Sequence, residues 1–343
     1  MLSGRFPYSS RELSGEIKFK KTIKYNARNM YSKLFSWLLC NCHLFLLILF
    51  RYRNYRILYF TNPPISYFCS LIFNNEFSIV VFDLYPNALK LIRISEGNVV
   101  YRIWKKINSK VFSRARRIYV LSPKMNELLQ EYVQKEKVVT VELWSSSNEF
   151  MPISKEENIF LTKHGLQGKF IVMYSGNLGM GHNLEVLVQL ANEFKSHADI
   201  HFLIVGDGIQ KKSMIEKVRE LSLSNITFLP YQDLKTLPYS LAAADISVVT
   251  MNPDVTNFSL PSKFFNAIAV GSPILAIGGI DSELEVIVNR FNVGLYLTAE
   301  NSSLINEFIL DLFSSHALRN EYRINAIECS RHFNLENSKI ITA

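Results

Sequence analysis

Along this chain, short apolar runs alternate with longer segments in which apolar residues recur every three or four positions. The runs Arg56–Thr61 (RILYFT), Phe77–Phe82 (FSIVVF), Arg117–Leu121 (RIYVL), Phe170–Tyr174 (FIVMY), Ile200–Val205 (IHFLIV) and Ile246–Thr250 (ISVVT) are too short for helices and rich in β-branched and aromatic residues. Such runs fit strands buried on both faces of a parallel sheet. Further strands are predicted at 137–143, 226–229, 274–277 and 294–297. Helices are predicted over 98–114, 123–132, 184–195, 209–222, 234–243, 281–290 and 302–334. Ser122 is placed as the N-cap of the helix opening at Pro123. Strand–helix alternation implies an α/β protein with doubly wound parallel sheets. The pattern breaks over 145–167, which divides the chain into a first domain at 1–150, a linker with a short helix at 151–168, a second domain at 169–320 and a C-terminal helix at 321–343. Ligands of such sheets bind past the carboxyl ends of strands, where Asn62, Asp83 and Ser122 fall.

Two early segments stand apart. Residues 16–23 (EIKFKKTI) alternate apolar and basic, as a half-exposed strand would. Residues 27–50 predict a helix whose last 17 positions, 34–50, are almost wholly apolar, with Asn41 and His43 as interruptions and Arg51, Arg53 and Arg56 close behind. Three readings of 34–50 stay open: a core helix, a helix dipping into one leaflet with the arginines on headgroups, and a short membrane span.

Charge sharpens this picture. The 343 residues carry a net charge of +8, but residues 1–150 hold 23 Lys/Arg against 10 Asp/Glu, while the rest holds 15 against 20. The basic surplus is confined to the first half, which could face anionic lipid, nucleic acid or a phosphorylated substrate, or be merely solvated. Cys40, Cys42, Cys69 and Cys329 show neither metal spacing nor a disulfide framework, which fits free thiols in a reducing compartment. The opening MLSGRFPYSSRELSGE has no apolar core segment, so no secretory signal is expected.

The most informative stretch is NFSLPSKFFNAIAVGSPILAIGG, residues 257–279. Pro261 is read as the first position of a short apolar helix, closed by Gly271 and Pro273. The unpaired amides of the first turn and the helix dipole would make an anion site; the alternative is a solvated lysine on an ordinary helix start. Lys263 lies in that turn, where a cation opposes the dipole unless an anion sits between them. Three glycine-bearing turns follow strands: Gly176/Gly179/Gly181, Gly206/Gly208 and Gly278/Gly279. Gly176-Asn177-Leu178-Gly179 lacks GxGxxG spacing and no Gly-Lys-Ser/Thr follows, so dinucleotide and P-loop chemistry both lose ground. The absence of any Asp-x-Asp pair gives no sign of a metal-bridged diphosphate.

Taken in order, YSGNLGMGHNLEVLV (174–188), FLIVGDG (202–208), ITFLPYQDLKTLPYSLAAADISVVT (226–250) and LPSKFFNAIAVGSPILAIGGIDSELEVIV (260–288) resemble the donor domain of GT-B glycosyltransferases of family 4, in the subgroup that builds bacterial surface and capsular polysaccharides. FTNPPISYF (60–68), VFDLYPNAL (81–89) and YVLSPKM (119–125) look like that subgroup's acceptor domain. The resemblance implies two Rossmann-like domains facing across a cleft and a metal-independent, retaining transferase that needs no cofactor. Its partners would be a nucleotide-sugar donor, UDP-linked, a lipid-linked saccharide acceptor and an anionic membrane surface; nucleic acid is not among them. The protein would lie peripherally on the inner face of the cytoplasmic membrane.

The resemblance places the donor diphosphate between the Gly176–Gly179 loop and the Pro261 helix, with Ser262 bonding phosphate and Lys263 neutralising leaving-group charge. Gly206, Asp207 and Glu283 join the donor set, and Tyr231 would lie near the base or else in the core. Asn177, His182 and Asn266 stand where the family usually has arginine, lysine and a ribose-gripping glutamate, and Phe258 takes the place of a second glutamate. His182 could donate to phosphate or be an ordinary residue of the helix entry. Asp83 is either the residue that orients or deprotonates the acceptor hydroxyl, or a turn aspartate. The family opens with a buried strand and glycine loop that residues 1–30 do not show, so a first sheet lacking that strand, or opened differently, is expected. The rivals are a nucleotide-sugar epimerase of the same architecture and a non-catalytic binding protein. A nucleic-acid binder ranks last, since the basic residues are scattered and no reading motif occurs.

Overall fold

In the computed structural model, which describes residues 2–3, 20–21, 30–142, 150–253, 256, 260–298 and 300–342, the short apolar runs are strands and the segments between them helices. Two compact units result: Met1–Pro86, Ile94–Val120 and Asn126–Val139 form one; Asn87–Arg93, Leu121–Met125 and Thr140–Ala343 form the other.

The first unit opens with β1 (Leu2–Ser3) and β2 (Lys20–Lys21), a two-residue parallel pairing, then α1 (Met30–Phe50). Most of the expected strand at 16–23 and the start of the expected helix at 27 lie outside the described residues. A four-stranded sheet follows in the order β3 (Ile57–Phe60), β4 (Phe77–Val81), β5 (Ile118–Val120), β6 (Val138–Thr140), with α2 (Val99–Arg114) and α3 (Pro123–Leu129) between strands. Strands β3, β4 and β5 pair in parallel. Asn98 caps α2 by accepting the Val100 amide at 2.8 Å, and Ser122 caps α3 through the Met125 amide at 3.2 Å. Helix α1 buries Ser36, Leu47 and Ile48 but exposes Leu34, Phe35, Leu38, Leu46 and Phe50, the last to 80%. The core-helix reading therefore holds only for its last turns. No helix among the described residues is long and apolar enough to cross a membrane, which removes the spanning reading.

The continuous part of the second unit runs through α4 (Ile159–Lys163), β7 (Phe170–Ser175), α5 (Glu185–Glu193), β8 (Ile200–Val205), α6 (Lys211–Glu220), β9 (Ile226–Leu229), α7 (Leu237–Leu241), β10 (Ile246–Thr250), α8 (Ser262–Ala269), β11 (Ile274–Ile277), α9 (Glu283–Phe291) and β12 (Gly294–Leu297). Helices α10 (Ser302–Ser314), α11 (His316–His332) and α12 (Lys339–Thr342) close it. The sheet order is β12-β11-β10-β7-β8-β9, all pairs parallel. The chain winds from β7 out to β9, then crosses to the other side of β7 for β10 to β12. Strands β10 and β11 are buried along their whole length, as strands covered on both faces must be.

Three boundaries differ from the sequence expectation for local reasons. The helix expected over 234–243 starts at Leu237, because the Asp233 carboxylate takes the Lys235 and Thr236 amides at 3.0 and 2.8 Å. The helical stretch 302–334 is two helices, since the Ser315 hydroxyl caps α11 through the Leu318 amide. Pro261 is not inside α8 but at its N-cap, with φ −73° and ψ 118°, so Ser262 is the first helical residue.

Candidate functional site

The second sheet reverses its winding between β7 and β10, and loops leaving such a pair diverge to open a crevice at their carboxyl ends. The loop after β7 runs from Gly176 to Leu184; the segment after β10 leads to α8. Main-chain bonds stitch the two together: the Asn252 amide donates to the Gly181 carbonyl at 3.0 Å. The β7 loop is also tied to the turn after β8, with Leu178 N to Asp207 O at 2.9 Å and Gln210 N to Leu178 O at 3.0 Å. Here the glycines are structural necessities. Gly206 has φ +150°, and a Cβ there would stand 1.9 Å from the Gly176 carbonyl oxygen. Gly176 has φ +152° and lies where Lys263 passes, its Cβ position 3.2 Å from Lys263 Cε.

Lys263 is the second residue of α8. Its stem crosses Gly176 and its ammonium reaches the end of β7: Nζ is 2.6 Å from the Tyr174 hydroxyl and 3.3 Å from each ring nitrogen of His182. The helix start leaves the Ser262 and Lys263 amides without intrahelical acceptors. A cation, two free amides and the positive end of a helix dipole thus converge beside a glycine loop. Burial holds Lys263 down to about 7. Burial also lowers His182 to about 4, the Lys263 charge adds to the effect, and the bond to the Thr250 carbonyl opposes it. His182 is therefore neutral at physiological pH.

The other expected residues divide into groups. Gly179 lies in the same loop, and its carbonyl accepts from the Gln210 side-chain Nε2 at 2.5 Å. Asn177 is exposed, and its carbonyl accepts the Tyr174 hydroxyl proton at 2.8 Å. Asp207 is exposed, its carboxylate caps the Gly208 amide at 2.9 Å, and its carbonyl accepts the Tyr231 hydroxyl at 3.2 Å. Tyr231 is 56% exposed, which overturns the core alternative and leaves its ring beside the glycine turn. Asn266 is half-buried on α8, one turn beyond Lys263. Glu283 is buried at the start of α9, which Ser282 caps; its carboxylate accepts the Lys124 amide of the same unit at 3.3 Å. Asp83 belongs to the first unit, just past β4, where the Thr61 hydroxyl accepts the Phe82 and Asp83 amides at 3.0 and 3.2 Å. Phe258 lies outside the described residues. Sequence reasoning missed Tyr174 and Thr250. The one available signal was a tyrosine at the end of the buried apolar run FIVMY, since a buried phenol needs a partner for its hydroxyl.

Two Rossmann-like parallel sheets in one chain are the architecture of the GT-B class of glycosyltransferase folds. Residues 156–328 match the family Glycosyl transferases group 1, and the chain belongs to that family. It is 24% identical over 218 residues to the probable glycosyltransferase WbjE of Pseudomonas aeruginosa, covering 63% of this chain and 54% of that one. It is 28% identical over 170 residues to the putative colanic acid biosynthesis glycosyl transferase WcaI of Escherichia coli, covering 49% and 41%. The chain spans about half the length of these curated relatives. Among solved structures, Anabaena Alr3699/HepE in complex with UDP and glucose shares the fold at a TM-score of 0.72, with 14% identity over 94% of this chain and 84% of its own.

Proposed function

We propose that this protein is a retaining glycosyltransferase that moves a sugar from a UDP-linked donor to a lipid-linked saccharide during polysaccharide synthesis. The observation that carries the reading is Lys263: a half-buried lysine at a helix start, beside a glycine loop, in no salt bridge with any described acidic residue. Burying such a charge is costly unless an anion arrives to pair with it. Both named relatives are described as glycosyltransferases, one of colanic acid biosynthesis, and HepE was solved with UDP.

In this reading the α8 amides and Lys263 bind the diphosphate and stabilise it as the bond from sugar C1 to phosphate oxygen breaks. The acceptor oxygen bonds to C1, and its proton passes to the departing phosphate oxygen; nucleoside diphosphate and glycosylated acceptor result. Lys263 and the helix dipole supply the positive charge of the reaction without a metal. Asp83 is assigned to the acceptor hydroxyl. For the lipid end of the acceptor, α2 offers Arg102, Lys106 and Lys110 on its outward face with Val99 and Ile103, and α1 offers its exposed leucines and phenylalanines. This combination suits an anionic bilayer surface.

Thermal-shift measurements with UDP, GDP and ADP test the donor assignment. UDP alone should raise Tm, and Lys263→Ala should weaken UDP binding about tenfold or more in calorimetry, the worth of one buried charge-assisted contact. A protein that no nucleotide stabilises would not be a transferase. Asn177, His182 and Asn266, which replace the family's charged residues, favour a second reading as a nucleotide-binding protein without transfer. Stabilisation by UDP with no turnover of any UDP-sugar would select it.

A further inference from the structure

Lys263 does not stand alone in its crevice. Two side chains flank its ammonium, and the hydrogen bonds on the far side of each fix their own state. The Tyr174 hydroxyl donates to the Asn177 carbonyl at 2.8 Å, so towards Lys263, at 2.6 Å, it can only accept. His182 Nδ1 lies 2.9 Å from the Thr250 carbonyl. A carbonyl only accepts, so Nδ1 carries the ring proton and Nε2 is a bare lone pair. Nζ stands 3.3 Å from both ring nitrogens, which puts it over the face of the neutral ring and off its in-plane lone pair. The amine thus has one neutral acceptor, the Tyr174 hydroxyl, and a neutral ring covering it, with its stem on Gly176. The titratable groups facing it are Tyr174 and His182; no ion pair joins it to a described carboxylate.

We propose that Tyr174 and His182 are positioning residues for the Lys263 ammonium: the Tyr174 hydroxyl holds one proton, the neutral His182 ring covers the amine from water, and the remaining protons face the donor's diphosphate, so that nucleotide capture takes up a proton at this amine. The inference rests on the donor reading above. Its physical basis is the missing counter-charge. A buried amine with only neutral neighbours loses its proton readily, in line with the lowered value near 7. Phosphate oxygens beside it favour the charged form and restore the proton. The neutral state of His182 matters equally: a charged imidazole there would repel the ammonium it covers.

The test is calorimetry of UDP binding to the whole protein in buffers of different ionisation enthalpy, about one unit above neutral pH, where the terminal phosphate of UDP is already ionised. The expected result is uptake approaching about one proton per UDP bound. In Lys263→Arg, whose guanidinium stays charged, UDP should still bind with the uptake lost. His182→Ala admits water to the amine and should move the pH midpoint of UDP affinity upward by about one unit. His182→Gln refills the space with a neutral side chain and should restore the midpoint. Tyr174→Phe removes an acceptor from the charged form and should move the midpoint downward. UDP binding without proton uptake, or uptake that persists in Lys263→Arg, overturns the proposal and leaves the donor reading standing. Midpoints unmoved in His182→Ala and Tyr174→Phe reduce both residues to packing. Absence of binding by UDP, GDP and ADP to the wild-type protein overturns donor reading and proposal together.

Discussion

At the scale of single residues, the free protein carries a penalty at its site. Lys263 at about 7 is far below an ordinary lysine, and His182 at about 4 is below an ordinary histidine. In both cases the folded state binds fewer protons than the unfolded chain, so folding stability rises with pH across each window: from about 4 to 6.5 for His182, and from about 7 to 10 for Lys263. Stability is correspondingly lost as pH falls through those ranges. Lys263→Met, which keeps the stem and removes the charge, should raise the stability of the unliganded protein by on the order of 1–2 kcal/mol at neutral pH while abolishing stabilisation by UDP. Urea unfolding with and without nucleotide reads both effects, and a less stable Lys263→Met would show that the ammonium is not strained. Gly206→Ala is the opposite case. A Cβ 1.9 Å from the Gly176 oxygen, on a backbone at φ +150°, must push the two glycine turns apart. The cost should be about 3 kcal/mol or more, with loss of nucleotide binding.

At the scale of elements, the alternation of apolar runs and helical spacing was enough to place β3 to β12 and most helices, because strands buried on both faces leave an uninterrupted apolar signature. The start of α8 was legible too, to within one residue, from Pro261. Less legible was what surrounds Lys263. Tyr174 reads as one more apolar strand residue, the Thr250 contribution is a main-chain oxygen that no residue type announces, and the state of His182 is set by groups 68 and 81 positions away. Local errors came from side chains that compete with helix amides, as Asp233 and Ser315 do. Helix α2 shows the same kind of information in reverse. It holds no acidic residue, and Arg102, Lys106, Lys110 and Arg114 follow one another at intervals of four, where like charges weaken a helix. Helix α6, by contrast, pairs Lys212 with Glu216 at 3.8 Å and Lys217 with Glu220 at 3.2 Å. Lys106→Glu would place a carboxylate between Arg102 and Lys110. We expect it to leave Tm unchanged or raised and to reduce salt-sensitive co-sedimentation with anionic vesicles. Undiminished pelleting would clear α2 of any role at the bilayer.

At the scale of the whole molecule, the two units divide the proposed chemistry between them. The donor side is built entirely within the second: β7, its loop, the end of β10 and the start of α8. Asp83 belongs to the first, on the carboxyl edge of a sheet whose own strands run in parallel. Residues that serve different substrates should fail in different ways. Lys263→Ala removes charge from the diphosphate in both the bound and the departing state, so nucleotide affinity and turnover should fall together. Asp83→Asn keeps the size of the side chain but removes the charge that orients the acceptor hydroxyl. Transfer to the acceptor should drop by about a hundredfold or more, with UDP affinity within twofold of the parent. If the two act on separate ligands, their effects on UDP affinity should add, and the double variant should bind UDP as Lys263→Ala does. Weakened UDP binding in Asp83→Asn alone would move Asp83 out of the acceptor role and into the support of the donor.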